Sequence, residues 1–150
     1  MKDSKKIPDL SGVHIWLIMM KAFRAVAGYV EPKLRQSGLG ESDFRILEAL
    51  LHKGPLPVNT IGPVVRLTAG SISTAVDRLH ERGLVTRVDS DQDRRVKMVD
   101  LTAKGRKLIG CVFQAHAAQM EDLMNVLTAA ERRQLLRALK KVGKEAAGRR

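Results

Sequence analysis

From Thr68 to Arg78 the chain reads TAGSISTAVDR, a run dominated by short hydroxyl and small apolar side chains. The hydroxyls of Thr68, Ser71, Ser73 and Thr74 can bond base edges or phosphate oxygens. Ala69 and Gly70 beside them are small enough to let a backbone approach a surface closely. Arg78, one helical turn beyond Thr74, offers a planar fork that can read guanine through two hydrogen bonds or hold a phosphate. A second arginine pair, Arg94 and Arg95, closes the wholly polar stretch from Asp89 to Arg95. An arginine on a projecting loop suits the narrow, electronegative minor groove of a duplex. Asp91 or Asp93 stands close enough in sequence to orient that guanidinium by a charge-assisted hydrogen bond. Taken singly, each feature has a plainer reading: Ser71 and Ser73 as the surface of a helix, Arg94 and Arg95 as solvated charges on a hairpin. The combination is what carries information.

Other chemistry finds less support. His14, His52, His80 and His116 are far apart in sequence and lack metal-ligand spacing such as HExxH. The single cysteine, Cys111, excludes an internal disulfide framework and a cysteine-rich zinc site. Its sequence neighbours Gly110 and Val112 carry no charge that would lower a thiol pKa. No phosphate-cradling glycine loop is present. The sequence therefore predicts no catalytic residue, no metal site and no cofactor.

The elements that must position these residues follow from periodicity. Residues 11–36 read as a helix in which Val13, Leu17, Met20, Ala27 and Val30 trace an apolar face widened by Trp16 and Phe23. Pro32 should kink or cap it, and Ser37-Gly38-Leu39-Gly40 breaks it. A second helix fits 41–52 with Phe44, Leu47, Leu50 and Leu51 inward. A short third fits 58–66, weakened by Gly62-Pro63. Thr68 has the character of an N-cap, and a fourth helix runs from it to Arg82 over a buried stripe of Ile72, Ala75, Val76 and Leu79, with Gly83 as its stop. Leu84–Val88 and Val96–Leu101 then read as a β-hairpin with a long polar tip. Thr102 caps a fifth helix over about 103–127. Thr128 caps a sixth, with Glu131 at capping-box spacing. The expected fold is mainly α with a small β-hairpin wing. A winged helix-turn-helix lobe over 40–102 is flanked by an N-terminal helix (1–39) and C-terminal helices (103–150). These flanking helices are too apolar on one face to stand alone in water, and a second copy of the chain is the most economical cover.

Composition agrees with this plan. The chain has 150 residues, 44% hydrophobic and 29% charged, which is globular rather than disordered. It carries 27 Lys+Arg against 16 Asp+Glu, a formal charge of +11. The excess lies in residues 1–40, 64–107 and 131–150, and it points to a polyanionic partner, nucleic acid first. No uninterrupted apolar run reaches the roughly 18–20 residues of a membrane span, and no secretory leader is evident. No membrane partner and a cytoplasmic location are expected. An architectural, weakly specific DNA-coating protein without an effector would share the charge but needs neither sequence preference nor a pocket.

The stretch from Leu67 to Gly105, LTAGSISTAVDRLHERGLVTRVDSDQDRRVKMVDLTAKG, resembles the MarR family of winged helix-turn-helix regulators. Asp93-Arg94-Arg95 matches the family's wing, and LTAKG at Leu101 to Gly105 matches its exit. The resemblance implies a homodimer that binds a pseudo-palindromic operator in double-stranded DNA, usually as a repressor and often relieved by a small molecule or by oxidation. It implies that Ser71, Ser73, Thr74 and Arg78 face DNA while Arg94 enters the minor groove. The run KGPLPVNTIGPVVRLTAGSIS, from Lys53 to Ser73, is similar to a branch that includes regulators of quinone and hydroquinone resistance. Pro63 departs from that branch, where a helix-compatible residue is usual. The family places an effector pocket between the dimer helices and the DNA-binding lobe. Here its lining would be Trp16, Met20, Phe23, Phe44, Cys111 and His116. A flat aromatic effector would stack on Trp16 and Phe23 with His116 as a polar anchor; the plainer reading of the same residues is core. Redox sensors of the family keep their reactive cysteine near the N-terminal helix, so Cys111 is not expected to serve as one.

Overall fold

A computed structural model describes residues 9–65, 68–89 and 97–149. In chain order the elements are α1 (Gly12–Gln36), α2 (Glu41–Lys53), β1 (Leu56–Pro57), α3 (Val58–Val65), α4 (Ala69–Glu81), β2 (Val85–Asp89), β3 (Lys97–Leu101), α5 (Ala103–Met124) and α6 (Ala129–Gly148). They form two compact units, residues 1–109 and 110–150, and the division falls within α5.

α1 opens at Ser11, whose hydroxyl accepts from the His14 N–H at 3.2 Å. Pro32 does not cap it: the helix continues to Gln36, because a proline's missing N–H removes only one rung of the ladder. The stop comes at Gly38, with φ +75°, where the Gly38 N–H bonds Arg35 O at 2.9 Å and the Leu39 N–H bonds Leu34 O at 3.3 Å. This is a Schellman end, and its two leucines are buried. By length and mean composition α1 would suffice to cross a membrane. Lys21 and Arg24 interrupt it, so it holds no uninterrupted apolar run of that length.

The core of the first unit lies between α2, α3, α4 and the sheet. Ile46, Leu47 and Leu50 of α2 meet Ile61 of α3 and Ile72, Val76 and Leu79 of α4, all essentially without solvent exposure. Leu51, expected inward, is only half-buried. α3 forms despite Pro63, which lies on its exposed side while Ile61, Gly62 and Val65 are buried.

The expected hairpin is part of a three-stranded antiparallel sheet in the order β1-β3-β2. β3 pairs with β2 from Val85↔Leu101 to Asp89↔Lys97, and with β1 at Leu56↔Val99. β1 has no signature in the sequence, because two residues, one of them proline, show no periodicity. Ser90–Val96, and with them Asp91, Asp93, Arg94 and Arg95, lie outside the described residues.

Leu84 belongs to the end of α4 rather than to a strand. Gly83 takes φ +68°, its N–H bonds His80 O at 2.8 Å, and the Leu84 N–H reaches Leu79 O at 2.9 Å. The start of α5 is latched onto this turn. Thr102 donates its N–H to Leu84 O at 3.1 Å and its hydroxyl to Gly83 O at 2.7 Å. The same hydroxyl accepts from the Gly105 N–H at 2.9 Å, and Lys104 Nζ reaches Arg82 O at 2.9 Å. Gly105 is required here, since a Cβ would stand 1.9 Å from Leu84 O. The LTAKG motif is thus a joint between the end of α4 and the start of α5.

In the second unit α5 ends at Met124, three residues before the expected 127, because the chain turns through Asn125–Leu127 into the next cap. Arg132 staples this turn, donating to Met124 O at 3.1 Å and Asn125 Oδ1 at 3.0 Å. Thr128 and Glu131 form the expected capping box.

Candidate nucleic-acid interface

α4 is held by the buried stripe Ile72, Ala75, Val76 and Leu79, so Gly70, Ser71, Ser73, Thr74 and Arg78 fall on its other side and are exposed. Its N-terminus is organised by its own hydroxyls. Thr68 Oγ1 accepts from the Ser71 N–H at 3.3 Å and lies 2.8 Å from Ser71 Oγ. Thr74 Oγ1 donates to Gly70 O at 3.1 Å. Thr68 therefore serves first as the N-cap, as its residue type predicts. With Ser71 and Thr74 it still presents lone pairs outward, and no hydrogen bond from the Ser73 hydroxyl is seen among the described residues.

Arg78 behaves differently from the other members of the predicted set. Its guanidinium turns toward α2, where Nε donates to Asp43 Oδ2 at 3.2 Å, Nη2 pairs with Asp43 Oδ1, and Nη2 reaches Ser42 Oγ at 3.4 Å. Arg82, one turn later, places Nη1 3.4 Å from Asp43 Oδ2. The hydrogen bond to Asp43 raises the already high pKa of Arg78, opposed by burial and reinforced by charge attraction. Asp43 itself is only 3% exposed. Asp77, the residue before Arg78, receives Arg87 of β2 at 2.5 Å on its carboxylate. Lys97 and Asp89 pair across the end of β2 and the start of β3, the last register pair before the wing tip. His80 Nδ1 lies 3.1 Å from Val85 O; since a carbonyl only accepts, this nitrogen carries the proton. These ties hold α4 to α2 on one side and to β2 on the other.

Comparison with known proteins matches this arrangement. A family model described as the MarR family matches residues 37–96. The HTH-type transcriptional regulator MhqR of Bacillus subtilis (strain 168) is 33% identical over 86% of this chain and 89% of its own length. The chain belongs to the MarR family of transcriptional regulators. AbsC, a MarR family regulator from Streptomyces coelicolor, shares the fold with a TM-score of 0.82, covering 95% of this chain and 99% of its own at 21% identity. NadR, solved in complex with 4-hydroxyphenylacetate, is 26% identical with a TM-score of 0.73, covering 94% of this chain and 98% of its own.

Within this MarR-family chain, the residues suggested for an effector pocket divide between the units. In the first unit Trp16, Met20 and Phe23 follow one another along α1. Trp16 is 58% and Phe23 60% exposed, and Met20 is half-buried. Phe44 is in the core of the lobe. In the second unit Cys111 is exposed and His116 half-buried. Asp43, Arg82, Asp77 and Arg87 were not singled out from the sequence. One signal was present: Asp43 stands three, four and seven residues before Ile46, Leu47 and Leu50, on the buried face of an otherwise apolar stripe. A carboxylate there demands a cation.

Proposed function

We propose that the chain is a homodimeric, sequence-specific repressor that binds a pseudo-palindromic operator and is released by a small aromatic effector of phenolic or quinone-like character. The observation that carries this reading is α4. Its hydroxyl-bearing side is exposed, its opposite side is buried, and both flanks are tied to neighbouring elements. Such a helix can enter a major groove as a rigid body, with Ser71, Ser73 and Thr74 toward base edges and phosphates. Arg94 and Arg95, in the segment between β2 and β3, are the residues we assign to the minor groove. Residues 40–102 would grip the duplex while residues 1–39 and 103–150 cover one another across two copies. The exposed apolar faces of α1 and α6 support this division.

The effector reading rests on the similarity of Lys53–Ser73 to the quinone-resistance branch and on NadR, which was solved with a phenolic acid. Trp16, Met20, Phe23, Phe44, Cys111 and His116 remain the residues we assign to it. A regulator of this kind works in the cytoplasm, assigns no catalytic step to any side chain and needs no cofactor.

The test is selection of bound sequences from random duplex DNA, followed by a salt titration on the selected duplex. A palindromic motif with half-sites about one helical turn apart is expected, with affinity falling steeply as salt rises. Binding that enriches no motif would instead support the architectural alternative.

A further inference from the structure

We propose that Asp43 is a positioning residue for DNA recognition. By gripping Arg78 and Arg82 it sets the rotation and depth of α4, and Arg78 acts through this grip rather than by reading a base. The inference rests on the DNA-binding reading above.

Three observations carry it. First, Asp43 is buried on the core-facing side of α2, where a carboxylate is costly unless it is paired and hydrogen-bonded. Both oxygens are used: Oδ1 by Arg78 Nη2, Oδ2 by Arg78 Nε at 3.2 Å and Arg82 Nη1 at 3.4 Å. Second, the contact from Arg78 has two points, so it fixes the plane of the guanidinium as well as its distance. Arg82 adds a hold one helical turn away, and together the two arginines resist both rotation of α4 about its axis and sliding along it. Third, the adjacent residue Asp77 ties the same turn of α4 to Arg87 of β2 at 2.5 Å. Consecutive residues thus anchor the helix to α2 and to the wing. Two of the three guanidinium nitrogens of Arg78 are committed to this task, which leaves the hydroxyl side of α4 to meet the bases.

Long-range electrostatics and positioning predict opposite signs for one substitution. Asp43→Asn removes a negative charge, which by charge alone tightens binding to a polyanion. If Asp43 positions α4, the same change weakens it. The experiment measures binding of wild type, Asp43→Asn, Arg78→Lys and the double variant to the duplex that wild type selects from a random pool, with folding checked by circular dichroism. We expect Asp43→Asn to bind about tenfold more weakly, the scale of coupling within one salt-bridge network, with an unchanged salt slope. Arg78→Lys keeps the charge but loses the fork, and should weaken binding to a similar degree. It should also relax discrimination across the whole half-site, and the double variant should be no weaker than either single one. Unchanged or tighter binding by folded Asp43→Asn overturns the proposal. Should that variant not fold at the assay temperature, Arg78→Lys decides. Loss of preference at a single base pair, or no loss, makes Arg78 a base reader or a bystander and overturns it equally. If wild type itself selects no duplex, the functional reading fails instead, an outcome distinct from both.

Discussion

Two amphipathic helices of this chain meet opposite fates. α2 has 13 residues, of which six are buried, and it forms the floor of the winged lobe. α6 has 20 residues and buries none. Leu135, Leu136, Leu139 and Val142 follow helical spacing as faithfully as Phe44, Leu47 and Leu50 do, yet they stand between 43% and 54% exposed. Periodicity states that a helix owns an apolar face, and it is silent on what covers that face. The lobe completes its core within one chain. α6 presents its apolar face to whatever is outside, and α1 does the same along Val13, Trp16, Leu17 and Phe23. A completed core and uncovered apolar faces therefore belong to separate regions.

The largest effect should come from breaking the second region alone. Leu135→Glu with Leu139→Glu sets charges on the uncovered stripe, where a partner face would have to bury them. Sedimentation should then report a monomer. Affinity for a palindromic duplex should fall about a hundredfold or more, because the second half-site no longer benefits from an intramolecular effective concentration. Circular dichroism should change little, since both side chains are exposed. A variant that stays dimeric removes α6 from the interface and dissolves the comparison.

The first region breaks by a different route. Gly105→Ala drives a methyl into Leu84 O, 1.9 Å from where the Cβ must sit. Either the start of α5 or the end of α4 has to move. We expect a loss of about 2–3 kcal/mol in denaturant unfolding, the upper range for an overpacked site. An unaffected midpoint would mean that the joint at Thr102, Lys104 and Gly105 is looser than its hydrogen bonds indicate.

The two regions also differ in how far the sequence discloses them. Most elements were legible because each has a local cause: Thr68 and Thr128 as caps, Gly83 as a stop, and the stripe Ile72–Leu79 as a buried face. What was missed is non-local. β1 exists only because β3 pairs with it. The destination of the Arg78 guanidinium is set by Asp43, 35 residues earlier in the chain. Pro63 lies in a helix because tertiary packing of Ile61 and Val65 outweighs one lost rung. The hydroxyl set of α4 was legible as an exposed cluster. That one of its assigned members, Arg78, faces a buried carboxylate was not, since two residues so far apart share no periodicity.

A third prediction sharpens the division between base reading and anchoring. Arg94→Ala should weaken operator binding by roughly 1–3 kcal/mol, the scale of one good groove contact, without moving the unfolding midpoint. Asp43→Asn by contrast should disturb both quantities, because a buried network supports folding and recognition together. If Arg94→Ala leaves affinity unchanged at matched salt, the wing has no part in readout.

The smallest effect is also the most direct comparison, because the same cap chemistry occurs in both regions. Thr68 caps α4 and Thr128 caps α6, each accepting the N–H three residues on at 3.3 Å. Thr128 has an additional partner: Glu131 Oε2 receives the Thr128 N–H at 2.8 Å and its hydroxyl at 2.7 Å. The side-chain hydrogen bond from Thr128, then the backbone one, hold the Glu131 pKa below its ordinary value. A carboxylate depressed in the folded state stabilises that state above its unfolded pKa, and the contribution is lost as pH falls through the folded one. The cap of α6 should thus weaken only in acid, below the ordinary carboxylate range, whereas the cap of α4 has no titrating member. Thr128→Ala should cost about 1 kcal/mol at neutral pH and shrink the acid-dependent part, because the carboxylate then keeps only the backbone N–H at position 128. Thr68→Ala should cost a similar amount at every pH. Thermal melts of both variants across the acidic range read the difference directly. Parallel pH curves would mean that Glu131 is spectator to the cap, and that α6 begins no differently from α4.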